Sequence, residues 1–159
     1  MSNTLVKGRY IYDYDSIAAD AALGFKLPYK LVPYVELYAQ YVNADTNTQD
    51  TGYCGGFKLG HAWVKELGQW QLSCNYRYLE RNAWVDFLPD SEFFGGSTNA
   101  KGYEVEFYFG LASQIHFKVD WYSTRKIDKQ DPALNTIGQD IVFGFTEQEL
   151  LQLDLVVNF

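Results

Sequence analysis

Cysteine and histidine are scarce in this sequence, and their scarcity narrows the chemistry that the chain can carry out. Its two cysteines, Cys54 and Cys74, do not form a CxxC pair and are too few for a disulfide framework. Its two histidines, His61 and His116, lack the spacing of metal ligands, and no Ser/His/Asp-like set accompanies them. We therefore expect a protein that is not an enzyme and that uses neither a cofactor nor a metal.

The sequence also lacks long apolar runs and has fewer basic than acidic residues. No apolar stretch reaches the roughly 18 residues of a transmembrane helix. The opening residues, MSNTLVKGRY, lack the apolar core of a signal peptide, so the protein is either kept inside the cell or has lost its signal. Asp and Glu number 20 against 13 Lys and Arg, and the resulting net charge of −7 argues against nucleic acid as a partner.

Aromatic residues, by contrast, are abundant. They make up 18% of the chain, with 13 Tyr, 11 Phe and 4 Trp, and this composition favours strands over helices. Apolar and polar residues alternate with a period of two, as in strands with one apolar face. The alternation predicts a single domain over residues 1–159 with about eight strands, near 4–14, 17–27, 31–42, 53–64, 67–80, 102–112, 115–125 and 149–159. Each is close to the ~9–11 residues that a tilted membrane strand needs.

The predicted connections differ in length at the two ends of the sheet. Tight turns of two or three residues are predicted at PYK, KE and ASQ. Long loops are predicted at the other end, at NADTNTQDT, ERNAWVDFLPDSEFFGGSTNAK and KIDKQDPALNTIGQDIVFGFTEQE. An even number of strands places both chain ends at the tight-turn end. Short turns at one end and long loops at the other are typical of outer-membrane barrels.

The polar face of the predicted strands carries charges of both signs, which could pair across a narrow lumen. If this face points inward, the lumen-lining residues are Lys7, Arg9, Asp20, Lys26, Glu36, Lys58, Arg77, Glu104, Glu106, His116, Lys118, Asp120 and Asp154. Tyrosine and tryptophan collect near the strand ends of the apolar face, as in the aromatic girdles of membrane barrels. The predicted interfacial girdle consists of Tyr41, Trp63, Tyr76, Tyr78, Tyr103, Trp121 and Phe159.

Alternation alone does not say which face is inside. A soluble lipocalin-like barrel turns its apolar face inward around a small ligand, whereas a membrane barrel turns it outward against lipid. The mixed charges, the positions of the aromatic residues and the unequal loops favour the membrane barrel. The soluble ligand-binding barrel remains the alternative.

Two groups of residues could carry chemistry, but a structural role explains them better. Glu104 and Glu106 could act as an acid–base pair, yet salt bridges to Arg77 or Lys118 account for them. The acidic residues of the second long loop fit no known calcium-binding spacing; they are Asp86, Asp90 and Glu92. The aromatic residues of that loop predict a packed lid; they are Trp84, Phe87, Phe93 and Phe94.

Two segments resemble known outer-membrane proteins. ELGQWQLSCNYRYLERNAWVDFLPDSEFFGGSTNAKGYEVEFYFGLA, with its DFLPDSEFFGG loop, resembles the late strands of the putative-porin family of Gram-negative outer membranes. LQLDLVVNF resembles the C-terminal strand of outer-membrane barrels, which closes on phenylalanine, here Phe159. The resemblance implies the C-terminal portion of a longer porin. It also implies an outer-membrane location, and recognition of the last strand by the barrel-assembly machinery.

We therefore expect an all-β, antiparallel up-and-down transmembrane β-barrel of the porin type, embedded in a lipid bilayer. Its role would be passive diffusion or structural support. An eight-stranded barrel is filled by its own side chains, whereas an open pore needs about sixteen strands or more. Association with copies of itself, or with an N-terminal half, would widen the barrel, and the charged lumen would then set solute preference.

Overall fold

Seven antiparallel strands form one meandering sheet. The computed structural model describes residues 3, 5–6, 9–10, 12, 15–46, 48–85, 90–128 and 146–157, with the backbone alone at 5–6 and 9–10. The strands of the sheet, in spatial and chain order, are β3 (Ser16–Lys26), β4 (Tyr34–Ala44), β5 (Thr51–Gly60), β6 (Trp70–Leu79), β7 (Ala100–Ala112), β8 (Ile115–Lys126) and β9 (Glu147–Val157). The all-β antiparallel class predicted from the alternation is therefore confirmed.

The prediction of one continuous strand over residues 4–14 is wrong. Two short strands, β1 (Leu5–Val6) and β2 (Arg9–Tyr10), pair with each other as a separate two-stranded sheet. The sequence itself argues against a continuous strand here, because position 8 is a glycine and glycine weakens the interior of a strand. The other seven predicted strands correspond to β3–β9, with bounds that differ by a few residues.

The tight turn predicted at residues 65–66 is also wrong, and so is the PYK turn. β5 ends at Gly60, whose φ of +107° interrupts the strand, and residues 61–69 connect it to β6. Residues 27–33 connect β3 to β4 and are closed by a 2.8 Å hydrogen bond from the Leu27 N–H to the Pro33 carbonyl. Only the ASQ turn has the predicted tightness, because β7 and β8 are separated by residues 113–114 alone.

The long connections lie at the opposite end of the sheet, where 45–50, 80–99 and 127–146 join successive strands. The unequal ends are therefore confirmed for β6–β9, whereas the 45–50 connection is no longer than 27–33. Residue Asn3 lies at this long-connection end, since its side-chain amide donates to the Arg81 carbonyl at 2.6 Å. Asn3 therefore does not lie at the tight-turn end, where an eight-stranded count placed it.

Cross-strand partners point to the same side of a sheet, so each row of paired residues lies on one face. The two faces of this sheet differ in polarity. One row across the sheet runs Gly24, Glu36, Lys58, Ser73, Glu106, Asp120 and Gln152. The next row runs Leu23, Leu37, Phe57, Cys74, Val105, Trp121 and Leu151. We call these sides the polar face and the apolar face, and they match the assignment made from sequence parity.

The sheet is open. β3 and β9 are its edges, and in the described part of the chain neither has a second strand neighbour. The closed barrel expected from the sequence is therefore not formed by these seven strands. Within the ranges that the structure describes, no helix combines the length and apolar character needed to cross a membrane.

We predict that Gly102→Ala destabilises the sheet, because a methyl group there would clash with the backbone carbonyl of Ser123 on the neighbouring strand. β7 and β8 would have to separate locally, at an expected cost of about 1–3 kcal/mol. Denaturant unfolding in detergent measures this cost. Gly55→Ala is the matched control, since its nearest neighbour, the Tyr38 carbonyl, is 3.9 Å from the added carbon. Equal unfolding midpoints for the two variants would contradict the prediction.

Candidate functional site: the polar face and its covering loop

Ion pairs connect neighbouring strands across the polar face. Arg77 on β6 lies 3.3 Å from Glu104 on β7, which joins the guanidinium to a carboxylate. Lys118 on β8 contacts Asp120 at 2.7 Å and Glu106 at 3.3 Å. The sequence-based prediction that Arg77 and Lys118 neutralise Glu104 and Glu106 is therefore confirmed.

A separate ion pair joins β4 and β5. The Lys58 ammonium lies 3.1 Å from the Glu36 carboxylate, and the two residues are direct cross-strand partners. The Tyr34 hydroxyl donates to the same carboxylate at 2.6 Å. The Lys58 ammonium also lies 5.5 Å from the centre of the Tyr38 ring, within cation–π range.

Neutral side chains supply further hydrogen bonds to the carboxylates of β7. The Ser73 hydroxyl donates to Glu106 at 2.8 Å, and the Asn75 amide donates to Glu104 at 2.9 Å. The Tyr108 hydroxyl donates to Glu106 at 3.2 Å. These donors stabilise the charged form of carboxylates that are largely removed from water.

Burial on the sheet is inverted relative to a soluble protein. On the polar face Glu104 is 6% exposed and Asp120 only 1%. On the apolar face Leu151, Leu153 and Leu155 are 61%, 60% and 65% exposed. A soluble lipocalin-like barrel requires the opposite arrangement, with the apolar side chains covered.

The 80–99 connection covers the polar face of β6–β8. It contains a short 3-10 helix, Phe93–Gly96, and Phe93 and Phe94 are buried in a cluster with Ala100 and Tyr122. The Arg77 guanidinium lies 4.4 Å from the centre of the Phe93 ring. The packed lid predicted from this loop is thus confirmed for Phe93 and Phe94, while Phe87 lies outside the described residues.

Polar residues at both ends of this connection anchor it, and the sequence analysis did not identify them. The Thr98 hydroxyl donates to the Arg81 carbonyl at 2.8 Å. The Asn82 side chain donates to the Thr48 carbonyl at 3.1 Å, and the Asn99 side chain donates to the Asp128 carbonyl at 3.3 Å. The bond from Thr98 ties the two ends of the loop together, and the bonds from Asn82 and Asn99 join the loop to the two neighbouring long connections. A clustering of Asn and Thr at loop ends was the available signal.

Two acidic residues of the loop form a hydrogen-bonded pair. Burial raises the pKa of Asp90, and its hydrogen bond with Glu92 raises it further. The hydrogen bond with Asp90 lowers the pKa of Glu92. Asp86, the third acidic residue singled out from the sequence, lies outside the described residues. Among the residues that the structure describes, no group of three acidic, His or Cys side chains could hold a metal.

The aromatic residues predicted as a girdle lie mostly in one band on the apolar face, near the long-connection end. Tyr53 and Tyr78 stack at 5.0 Å between ring centres, and Tyr76 lies 5.0 Å from Tyr103. Tyr41 extends the band on β4, because it is the cross-strand partner of Tyr53. Trp121 pairs with Val105 and Leu151, so it lies on the same face but closer to the middle of the sheet. Tyr53 belongs to the band but was missed in the sequence.

Trp63 does not belong to this band. Trp63 is 75% exposed but lies in the 61–69 connection at the tight-turn end, because β5 stops at Gly60. The interpretation of Trp63 as a strand residue is therefore wrong. Phe159 lies outside the described residues.

Three further lumen candidates lie at the margins of the polar face. Asp20 and Lys26 are exposed on the edge strand β3. The His116 ring lies 5.8 Å from the Tyr108 ring, near the tight-turn end. Lys7 and the side chain of Arg9 lie outside the described part of the chain. The structure thus brings the described lumen candidates of β4–β9 onto one face.

A cleft remains open beside the loop. It has a volume of about 280 Å³, and its lining includes Asp20, Gln40, Cys54, Arg77 and Trp84. The loop therefore covers one side of the polar face and leaves space along β3–β5.

We predict that Arg77→Leu lowers the free energy of unfolding by about 1–3 kcal/mol, because the buried Glu104 carboxylate would lose its counter-charge. Thermal or denaturant unfolding in detergent measures the loss. Lys58→Leu is the control, since its pair with Glu36 is more exposed and should contribute less than about 1 kcal/mol. The prediction fails if Lys58→Leu destabilises the protein as much as Arg77→Leu.

Comparison with known families gives one match. A family profile described as "Putative porin" matches residues 5–145, which is most of the chain. The comparisons with curated proteins and with solved structures returned no match. The matched range includes the loop whose sequence suggested the resemblance. The chain therefore belongs to the putative porin family, and a porin-like function in the outer membrane follows at this general level.

Proposed function

We propose that this chain forms part of the wall of a passive, non-enzymatic diffusion pore. In this proposal the polar face lines the lumen and the apolar face contacts lipid. The inverted burial of the two faces is the observation that supports it best. A wide exposed apolar surface is costly in water and is favourable against hydrocarbon.

The aromatic band supports the same orientation. Tyr and Trp side chains prefer the boundary between hydrocarbon and headgroups, where the ring is buried and the polar atom is wet. Tyr53, Tyr76, Tyr78 and Tyr103 occupy one level of the apolar face. This level marks the membrane boundary on the side of the long connections. Below it, Leu37, Leu153 and Leu155 face the hydrocarbon.

The polar face has the properties of a solvated but narrow lumen. Its charged residues are paired across strands, and the loop with Phe93 and Phe94 narrows the space beside them. We propose that small polar solutes pass along the open side, over β3–β5. Seven strands are fewer than the roughly sixteen of an open pore, so the lumen requires further strands or further copies of the chain.

The proposed partners follow from this role. They are the lipid bilayer of a Gram-negative outer membrane, the barrel-assembly machinery acting on the strand that ends at Phe159, and possible further copies of the chain. Family membership and the apolar face support the first. The alternating sequence of β9 supports the second.

The two cysteines allow a direct test of orientation, because they lie on opposite faces. Cys54 pairs with Arg77 on the polar face, and Cys74 pairs with Phe57 on the apolar face. In lipid vesicles, the Cys74→Ala variant, which retains Cys54, should react with a membrane-impermeant thiol reagent. The Cys54→Ala variant, which retains Cys74, should react only after detergent is added. Labelling of Cys74 but not Cys54 in intact vesicles would overturn the proposed orientation.

Planar-bilayer recording tests the pore itself. We expect the protein to conduct small ions and its detergent complex to have the mass of a multimer or of a wider assembly. A silent protein with the mass of a monomer would support a plugged structural barrel instead of a diffusion pore.

A further inference from the structure

Charge is distributed unevenly over the polar face. On β3–β5 two carboxylates, Asp20 and Glu36, are balanced by two ammonium groups, Lys26 and Lys58. On β6–β9 the middle of the face carries four carboxylates and two cations; these are Glu104, Glu106, Asp120, Asp154, Arg77 and Lys118. A further cation, Lys126, lies at the long-connection rim, opposite Ala100. The middle of this half of the face is therefore negative.

The two central cations are already engaged. Arg77 contacts Glu104, and Lys118 contacts both Glu106 and Asp120. Asp154 lies directly opposite Lys118 in register and accepts a 2.8 Å hydrogen bond from the Gln152 amide. The hydrogen bond that Asp154 accepts therefore comes from a neutral side chain.

An independent observation comes from Asp120. Its side chain is 1% exposed, and its Oδ1 atom accepts no hydrogen bond within the described part of the chain. An unsatisfied buried carboxylate oxygen is costly. Asp120 lies between Glu106 and Gln152 in its row, so this acceptor belongs to the negative patch. Asp120 is too buried to contact a cation in the lumen directly, so its charge acts on the lumen at a distance.

The covering loop adds negative charge to the same side. Asp90 lies close enough to Arg77 and Glu104 to respond to their charges, and Glu92 responds to Lys118. Hydrogen bonding lowers the pKa of Glu92, so its carboxylate is ionised at neutral pH and the pair carries at least one negative charge. The loop therefore increases the carboxylate surplus.

We propose that the lumen prefers small cations over anions, and that the carboxylates Glu106, Asp120 and Asp154 set this preference. The inference rests on the proposed pore function. Charges at the wall of a narrow, poorly polarisable lumen attract ions of opposite sign and raise their local concentration.

The test is the reversal potential of the full chain in a planar bilayer under a KCl gradient. We expect the wild type to favour K⁺ over Cl⁻. Asp154→Asn should lower the K⁺ to Cl⁻ permeability ratio roughly two- to threefold, the size expected for one charge several ångströms from the path in a wet lumen. Glu106→Gln, a second variant of similar shape, should act in the same direction if Asp154→Asn fails to fold.

Glu149→Gln is the charge-matched control, because it removes one carboxylate from the other face of the sheet, where Glu149 lies opposite Ser123 and accepts its hydrogen bond. It should leave the permeability ratio unchanged. A conducting wild type without cation preference would overturn this inference while leaving the pore proposal intact. The same holds if Asp154→Asn and Glu106→Gln both retain the wild-type ratio. A protein that does not conduct at all would overturn the pore proposal and this inference together.

Discussion

The separation of side chains into two faces of opposite polarity is the constraint on which the rest of this structure depends. A strand alternates its side chains with a period of two, so each face is fixed once the register is fixed. The row containing Glu36, Lys58 and Glu106 therefore requires that the row containing Leu37, Phe57 and Val105 point the other way. One face is suited to water and the other to lipid, and a register slip of one residue would exchange them.

Covering a charged face is possible here only because its charges are paired. Arg77 and Lys118 each contact carboxylates on an adjacent or the same strand, and Ser73 and Asn75 donate to carboxylates that would otherwise be under-solvated. The loop then places Phe93 over the Arg77 guanidinium as well as against Ala100 and Tyr122. The buried cluster of this protein is thus small and lies on the polar side of the sheet.

The sequence predicted the strands and faces well because alternation is a local signal. It predicted less about the ends of strands, since β5 stops at Gly60 through a backbone angle that alternation does not report. The pairing of Arg77 with Glu104 could be anticipated, because neighbouring strands bring opposite charges together. Asn and Thr at the loop ends could have indicated anchors, but the bonding partners of Asn82 and Asn99 could not be predicted, because they are carbonyls of irregular connections whose positions alternation does not report. The separate pairing of β1 with β2 was missed because a short stretch can alternate apolar and polar residues without forming one long strand.

The number of strands in the sheet has a consequence for how a cylinder could be completed. Because seven is odd and each neighbour is antiparallel, β3 and β9 run in the same direction, from the long-connection end to the tight-turn end. If β9 paired directly with β3, the two strands would be parallel. The same would hold where β9 of one copy paired with β3 of another copy inserted with the same orientation. A closed barrel in which all neighbouring strands are antiparallel therefore needs an odd number of additional strands between each β9 and the next β3.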